Sequence, residues 1–496
     1  MPVSTEAPST NARHADLSAP EQGVKHSSIG GAYLRQGGLR LDGSFYSEEA
    51  WLARVLVQET GYDEMPVGGD DGLADVWMPG RFKRVEASDP QLGVPFVTPS
   101  EIIQAKPPLT RYLSKARTSN LETYLVDSGW ILVSRSGVVG RVVMVSETLQ
   151  GTAVSEDAIR VVARGGVPPG YVYAYLTSFI GSNLITKDQY GAVIKHIEPF
   201  HVARVPVPLL PPSLQHSIHD DIIEAYRLRD EANDLLDEAD ALLHDELGLP
   251  RLDESEVRYY GGGTVKAFTT KLSETGLRLD GTFSDPMARL AIENVRRSGM
   301  SVRQLNELTS VLFNPPIFKR MRVRQPDYGV RYFTGAEIMH LKPSAEKYLS
   351  RTMPNIHHYV VQKNWVLVTD SGTIGNVQFV DRWLAGSAVT NNVIRVCSER
   401  LHPGYLYAFL VSPYGNRQIV RCSYGAVIQH IEPHHVGRVL IPEPEMPAQE
   451  AIGDKVLRAY DNRAKANELE NRAIRLLEDT LVEAYQKRTG RKVAIA

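Results

Sequence analysis

The chain has 496 residues, of which 43% are hydrophobic, and its formal net charge at pH 7 is −3. This length supports several domains with their own cores, and the apolar content is ordinary for a globular protein. No run of about 18 apolar residues occurs, so we expect no membrane span, and the polar start lacks the apolar segment of a secretory signal. The two cysteines, Cys397 and Cys422, favour a reduced, cytoplasmic protein without a disulfide framework.

The chain contains an internal repeat: a unit of about 235 residues occurs twice. Tyr190–Pro199 reads YGAVIKHIEP, and Tyr424–Pro433 reads YGAVIQHIEP. The segments WILVSRSGVVG from Trp130 and WVLVTDSGTIG from Trp365 keep the same order and nearly the same offset. Because the unit is far too long for a solenoid repeat, the pattern predicts two similar domains related by pseudo-symmetry.

Each unit has the same order of predicted elements. A helix follows the sequence GLRLDG, over Glu48–Thr60 in the first unit and Pro286–Ser298 in the second. Short β-branched strands come next, followed by a helix near Tyr171–Ile180 and its counterpart Tyr405–Val411. The predicted strands include 130–134, 142–145 and 159–162, matched by 365–369, 377–380 and 394–397.

A long helix is predicted after the proline-rich exit of each unit. Apolar residues recur every three or four positions from Ile218 to Leu247, and again from Ile452 to Leu481. Each apolar stripe needs a partner, and the other copy supplies one, so we expect an antiparallel pair. Residues 216–256 contain 14 acidic residues and three arginines, which leaves the rest of the chain net positive and compatible with nucleic acid.

The predicted fold class is α+β, with two pseudo-symmetric mixed-sheet domains separated by two long helices that form an antiparallel coiled-coil-like spacer. The predicted division of the chain is a polar N-terminal tail (1–37), a first domain (38–215), a first spacer helix (216–250), a linker (251–270), a second domain (271–447), a second spacer helix (448–488) and a C-terminal tail (489–496).

The first group of candidate binding residues lies where the two units share a scaffold and differ in side chains. In the Ser-Gly-x-x-Gly turn, Arg135 corresponds to Asp370 and Arg141 to Asn376, while the glycines stay. Glycines let a backbone approach a ligand closely, and GxxG loops bind nucleic-acid backbones in other folds, although a plain β-turn is the alternative. The candidates in this turn are Arg135, Ser136, Arg141, Asp370, Ser371, Thr373 and Asn376.

A loop and a basic strip in each unit supply the other candidates. The loop keeps a positive charge at Lys187 and Arg421, which suits a phosphate, whereas the neighbouring Gln189 and Ser423 differ. A solvated loop and a solvated basic strand are the alternatives. The loop candidates are Lys187, Gln189, Tyr190, Lys195, Arg421, Ser423, Tyr424 and Gln429, and the strip candidates are Arg81, Lys83, Arg84, Lys319, Arg320, Arg322 and Arg324.

We expect no catalytic, metal or cofactor site. The histidines of the HIEP segments, such as His196 and His201, lack further ligands at metal spacing and are better explained as hydrogen-bonded structural residues. Asn314–Ile317 reads NPPI, which is similar to the Asn-Pro-Pro-aromatic signature of amino-methyltransferases. Its fourth residue is aliphatic, however, and no glycine-rich cofactor loop precedes it, so a fused methyltransferase is not favoured.

In its layout the chain resembles the specificity (S) subunits of type I restriction-modification systems, over roughly residues 38–488. The resemblance rests on the apolar strand that runs into Ser-Gly-x-x-Gly, the later YGAVI loop, and the proline-containing strand that leads into a long helix, VPVPLLPPSLQHSI in the first unit. Gln215 and His216 depart from the usual acidic residue and glutamine at this helix entry. The second unit keeps Gln449 but not the double proline.

The resemblance implies a non-catalytic, cytoplasmic phage-defence protein that binds double-stranded DNA through two target-recognition domains. It also implies assembly with two methyltransferase (M) subunits and, through them, with restriction (R) subunits. Because the two units carry different side chains at matching positions, we expect a bipartite, asymmetric DNA target. The competing hypothesis is a two-lobed protein-interaction scaffold of a related defence system, without its own DNA sequence readout.

Overall fold

The computed structural model describes residues 31–36, 43, 45–191, 193–260, 266–344, 347–493 and 495. Most of the predicted N-terminal tail and the linker glycines 261–263 lie outside these residues. Within these ranges, no helix combines the length and the apolar character needed to cross a membrane.

Most of the helices begin at or next to a proline, which suits a first helical turn because its missing N–H is not needed there. The predicted helix Tyr171–Ile180 is in fact two helices, because Ser178 is extended and its hydroxyl accepts a hydrogen bond from Gly181 N at 3.2 Å. The helices are α1 (Gly31–Gln36), α2 (Glu48–Gln58), α3 (Pro99–Ile102), α4 (Pro169–Thr177), α5 (Phe179–Thr186), α6 (Pro199–Ala203), α7 (Pro212–Leu247), α8 (Pro286–Arg297), α9 (Pro403–Val411), α10 (Pro413–Val420), α11 (Pro433–Gly437) and α12 (Met446–Thr489).

The strands fall into matching sets in the two domains. In the first domain these are β1 (Glu64–Pro66), β2 (Ala74–Trp77), β3 (Gly93–Val97), β4 (Tyr112–Ser114), β5 (Ile131–Ser134), β6 (Val142–Met144), β7 (Ala153–Val154), β8 (Ala158–Ala163) and β9 (Pro206–Pro208). In the second they are β10 (Ser301–Gln304), β11 (Val311–Phe313), β12 (Arg322–Val323), β13 (Gly329–Phe333), β14 (Tyr348–Ser350), β15 (Val366–Thr369), β16 (Val377–Phe379), β17 (Ala388–Val389), β18 (Val393–Cys397) and β19 (Leu440–Glu443).

Each domain contains two main sheets and a short pair of strands. The first domain has the orders β2-β8-β5-β6 and β4-β3-β7, and the second has β11-β18-β15-β16 and β12-β14-β13-β17. All pairs are antiparallel except β3 with β7 and β13 with β17. The exit strand pairs with an early strand, β1 with β9 and β10 with β19. The α+β class predicted from the sequence is confirmed.

A buried arginine joins the two main sheets of each domain. Arg160 on β8 and Arg395 on β18 stand at the same position of the repeat and are fully buried. Each guanidinium donates to main-chain carbonyl oxygens of the other sheet, to Val154 O at 2.6 Å in the first domain and to Val389 O at 2.6 Å in the second. Burial lowers the pKa of both groups to about 10, so they stay protonated at neutral pH.

The long helices α7 and α12 pack against each other in antiparallel orientation. Arg229 Nη2 donates to Asn467 Oδ1 at 2.9 Å, and Arg463 Nη2 donates to Asn233 Oδ1 at 2.9 Å. These two contacts are related by the repeat, so the pair has a pseudo-twofold axis at its centre. With 36 residues, α7 is roughly 54 Å long. The predicted antiparallel spacer is confirmed, although α7 begins at Pro212 rather than at residue 216 because the proline occupies the first turn.

Both domain cores include residues from both long helices. The core of the first domain contains Ile218 and Ile222 from the start of α7 together with Leu477 and Leu481 from the end of α12. The core of the second domain mirrors this, with the start of α12 and the end of α7. Each domain is therefore completed by a helix that follows the other domain in sequence.

The two domains also contact each other directly near the pseudo-twofold axis. Ala105 N donates to Met339 O at 3.0 Å, and Leu341 N donates to Ile103 O at 2.7 Å. These hydrogen bonds are equivalent in the repeat and flank an antiparallel bridge between residues 104 and 340. The spacer is thus not the sole element that fixes the distance between the domains.

The buried Asp381 carboxyl gives the second domain a testable dependence on pH. Its Oδ1 accepts hydrogen bonds from Trp383 N at 3.0 Å and Leu384 N at 2.9 Å, and burial raises its pKa to about 6. The folded state therefore binds this proton more tightly than the unfolded state, and stability falls as the pH rises from about 4 to about 6. Asp381→Asn should stabilise the protein at pH 7.5 by up to about 3 kcal/mol, since one pKa unit is worth about 1.4 kcal/mol.

The gain from Asp381→Asn should shrink towards zero near pH 4, as measured by urea unfolding across this range. Asp234→Asn on the exposed face of α7 is a control that should show no comparable gain. An equal stabilisation by Asp381→Asn at all pH values would contradict the assigned cause.

Candidate nucleic-acid interface

The Ser-Gly-x-x-Gly turn has the same closed geometry in both domains. In the first domain, Arg141 N donates to the Ser134 hydroxyl at 2.9 Å, and Gly140 N donates to Ser134 O at 2.9 Å. In the second, Asn376 N donates to the Thr369 hydroxyl at 3.1 Å. Gly137 has φ +75°, which few side chains tolerate, and Val138 at the tip is half exposed. Ser134 and Thr369 close the turn but were not among the predicted residues.

The YGAVI segment forms a tight loop directly beside this turn. Tyr190 and His196 exchange two main-chain hydrogen bonds of 3.0 and 2.8 Å, and a bridge joins His196 to Ser136 of the turn. The second domain repeats both features at Tyr424, His430 and Ser371. The predicted turn and loop residues are therefore adjacent in each domain.

In the first domain, an ion pair links the turn to the helix after the loop. Arg135 Nη2 lies 2.7 Å from Glu198 Oε1, and the Tyr190 hydroxyl donates to the same carboxylate. The hydrogen bond to Glu198 raises the pKa of Arg135, although burial opposes it. Arg135 also contacts Asp157 at 3.3 Å, so its charge is largely satisfied within the domain.

In the second domain, an acid replaces that arginine. Asp370 is 7% exposed, and its Oδ2 accepts a hydrogen bond from Asn314 Nδ2 at 3.1 Å. Burial raises the pKa of the Asp370 carboxyl, and the nearby Glu432 carboxylate acts in the same direction. The Tyr424 hydroxyl donates to Glu432 at 2.6 Å, as its counterpart does in the first domain. The same scaffold thus carries opposite charge at one position.

The histidines near these loops make structural hydrogen bonds. His201 Nδ1 accepts from Glu198 N at 2.9 Å, and His435 Nδ1 accepts from Glu432 N at 3.0 Å. Both contacts cap the short helices α6 and α11. Among the residues that the structure describes, no group of three or more acidic, histidine or cysteine side chains has metal-site geometry.

The basic strips are exposed in both domains, and two of their residues contact another side chain of the same domain. Arg84 contacts Glu156 at 3.2 Å, and Arg320 Nε donates to the Tyr332 hydroxyl at 2.9 Å. The other strip residues are exposed and form no ion pair with any residue in the described ranges: Arg81, Lys83, Lys319, Arg322 and Arg324.

The loop candidates divide into exposed and buried side chains. Tyr190, Lys195, Tyr424 and Gln429 are exposed. Lys187 pairs with Asp188 at 3.0 Å, Arg421 lies over the ring of Phe283 at 4.3 Å, and Ser423 is 4% exposed. The latter three would have to change conformation to contact a ligand.

Three of the predicted residues of the first domain line a cleft between the two domains. Arg141, Gln189 and Lys195 lie on one wall, and residues 340–342 of the second domain lie on the other. The cleft has a volume of about 1020 Å³. The Ser-Gly-x-x-Gly turn therefore opens into a space that both domains border.

Two sets of residues beside the turns were missed by the sequence analysis. The loop before β8 carries Ser155–Asp157, and its counterpart before β18 carries Thr390–Asn392, so acidic side chains become amides. Asn392 Nδ2 donates to the Ser371 hydroxyl at 2.7 Å. The loop tips also expose apolar side chains in both domains, Val193 at 95% and Val427 at 96%. The first set could have been found by aligning the two units, because residues 155–157 read SED and the corresponding residues 390–392 read TNN.

Comparison with known proteins identifies the class of the second domain. Residues 297–475 match the family model described as "Type I restriction modification DNA specificity domain". This range covers all the strands of the second domain, β10 to β19, and much of α12. This match confirms the resemblance of the chain to type I specificity subunits.

Solved structures of such subunits resemble the chain at low similarity. The type I restriction-modification S subunit from M. genitalium is 12% identical, with 85% of this chain and 98% of that chain covered and a TM-score of 0.31. The HsdS subunit from Thermoanaerobacter tengcongensis is 15% identical, with 86% and 97% covered and a TM-score of 0.27. No curated protein matches this chain.

Glu198 and Glu432 occupy the same position of the repeat, so replacing each of them tests the contribution of the ion pair that Glu198 forms with Arg135. Both glutamates cap a helix and accept from a tyrosine, but Glu198 alone is paired with an arginine. Glu198→Ala should therefore reduce the free energy of unfolding more than Glu432→Ala, by roughly 1–2 kcal/mol, because the mostly buried Arg135 loses the closer of its two acidic partners. Urea unfolding of the two variants measures the difference. Equal losses would show that the Arg135 contact contributes no stability.

Proposed function

We propose that this protein is the non-catalytic subunit that recognises a bipartite, asymmetric double-stranded DNA target, with one half-site for each domain. The observation that carries the proposal is the pseudo-twofold arrangement of two similar scaffolds with different side chains at matching positions. Two equivalent domains across a twofold axis suit two half-sites about one helical turn, or roughly 34 Å, apart. Different side chains make those half-sites different in sequence.

The side chains around the two turns support different base preferences. The second domain presents Asn376, Asn391 and Asn392 around its turn, and amide side chains pair with adenine in the major groove. The first domain presents Arg141 and Lys195 at the corresponding surface, and such donors favour guanine. The turns and the exposed loop tips are proposed to approach the DNA, and the free basic side chains of the strips to contact phosphates.

The spacer helices are proposed to hold the enzymatic partners. The first spacer is acidic over residues 216–256, which disfavours contact with DNA and leaves this face for protein. Two repeats of one surface suit two copies of one partner, and the family resemblance indicates methyltransferase subunits, with restriction subunits attached through them. The resemblance also indicates a cytoplasmic location and a role in defence against phage.

The DNA target can be mapped directly by sequencing methylated bases in a host that carries the system. We expect one motif with two unequal specific halves and a fixed, unspecific gap, because the domains are joined both by the spacer and by the contact between residues 103–105 and 339–341. A contiguous palindromic motif would be incompatible with two different recognition domains.

The unpaired basic residues should contribute affinity without sequence preference. Replacing Lys319, Arg322 and Arg324 with alanine should weaken binding to target and random duplexes alike, and the slope of log K against log salt should fall by roughly 0.9 for each lost phosphate contact. The control replaces Arg458, Lys465 and Lys487, which are exposed on α12, and changes the net charge equally. If both triple variants had the same slope as the parent, the strip would lie away from DNA, and absence of DNA binding by the parent would favour the scaffold hypothesis.

A further inference from the structure

The apolar contacts of the spacer do not by themselves distinguish α7 from α12. At eight positions of the interface, residues that stand 234 positions apart in the repeat are identical. The identical pairs are Ile218 and Ile452, Ala225 and Ala459, Tyr226 and Tyr460, Ala232 and Ala466, Leu235 and Leu469, Ala239 and Ala473, Leu243 and Leu477, and Leu247 and Leu481. The arginine–asparagine hydrogen bonds are repeated as well. A second copy of α7 could therefore make nearly all the contacts that α12 makes.

Ion pairs at the edges of the interface break this equivalence. Asp221 of α7 contacts Arg472 of α12, with Arg472 Nε 2.7 Å from Asp221 Oδ2. At the symmetric position Lys455 of α12 contacts Glu238 of α7 at 2.7 Å. Both acids thus lie on α7 and both bases on α12. If α7 paired with a second α7, Asp221 would face Glu238, and a pair of α12 helices would place Lys455 against Arg472.

A buried charge at the centre adds to this asymmetry. Arg229 is 2% exposed and lies 2.7 Å from Glu470, which is also 2% exposed and contacts Lys342 at 2.9 Å. Although burial opposes ionisation of Glu470, Lys342 and Arg229 lower its pKa. The residue of α7 that corresponds to Glu470 is Leu236. Two α7 helices would bury Arg229 without an acid, which is strongly unfavourable.

We propose that these charges make the spacer selective: α7 binds α12 and rejects a second copy of itself. The surface concerned is the edge of the interface at Asp221, Glu238, Lys455 and Arg472, together with the buried Arg229–Glu470 pair. Its ligand is a helix of the same apolar pattern with the opposite charge pattern. The selectivity keeps two different domains on one spacer, because self-paired halves would carry two identical domains. It does not depend on DNA binding.

The test uses the full chain, folded and then cleaved at a protease site inserted between Gly262 and Gly263. The two halves differ in mass, so native mass spectrometry separates the mixed species from the two self-paired species after equilibration. For the parent we expect the mixed species almost alone. The edge ion pairs and the buried Arg229 should together lower the exchange constant to self-paired species by roughly a hundredfold or more below the statistical value.

Two charge-exchanged variants isolate the edge residues. Glu238→Lys with Arg472→Glu keeps the net charge but makes the mixed pair repulsive and both self-pairs attractive, so self-paired species should increase at least about tenfold. Adding Asp221→Lys and Lys455→Glu restores attraction in the mixed pair and repulsion in the self-pairs, so the mixed species should return. The apolar interface is untouched in both variants.

Three results would overturn the proposal. The first is a parent that redistributes to the statistical mixture. The second is a double variant that stays mixed to the same extent as the parent. The third is a double variant whose halves separate or unfold and whose pairing the fourfold variant does not recover, because the replacements would then act by damage and not by charge. Loss of mixed pairing in the double variant, followed by its recovery in the fourfold variant, supports charge-based selection.

Discussion

The antiparallel packing of α7 on α12 is the constraint on which the rest of the molecule depends. Neither domain has a complete core without it, since residues such as Leu477 of α12 lie in the first domain and residues such as Leu243 of α7 lie in the second. The pseudo-twofold axis of the pair also sets the relation between the two domains. Stability, domain spacing and the orientation of the two recognition surfaces are thus coupled through one interface.

Within each domain, the structure separates the scaffold from the variable surface. The buried Arg160 and Arg395 bind main-chain carbonyl oxygens, so they join the sheets without requiring particular side chains in the partner strands. The turns are closed by hydroxyls and glycines that are shared between the units. Residues at the rim, such as Arg135 and its counterpart Asp370, can then differ without changing the backbone. This arrangement allows one fold to carry different side chains at its rim.

Much of the fold could be predicted because the two repeated units of the chain can be compared with each other. The internal repeat identified the two domains, and β-branched runs placed strands such as β5 and β15 to within a residue or so. The 3.6-residue apolar period identified both long helices. The break at Ser178 was not predicted, because its hydroxyl caps a helix inside an otherwise continuous apolar segment.

The candidate site was less predictable, because tertiary contacts decide which charges are available. Arg135 appears in the sequence as a free basic residue, yet Glu198 and Asp157 satisfy it. Ser423 is in a polar loop but is buried. The domain contact at residues 103–105 and 339–341 leaves no local pattern, since main-chain hydrogen bonds do not depend on residue type.

The shared cores also have a consequence for biosynthesis. The first domain is translated well before α12, but Ala473, Leu477, Leu481 and Tyr485 of α12 belong to its core, which therefore cannot be completed until α12 has been made. At ordinary elongation rates of about 5–20 residues per second, the ribosome needs roughly 10–50 s to proceed from α7 to the end of α12. During that interval the apolar groove of the first domain that α12 fills is exposed to solvent, where chaperones and proteases can reach it. A premature stop anywhere before α12 therefore leaves the cores of both domains without the residues that α12 contributes, so incomplete chains expose apolar surface.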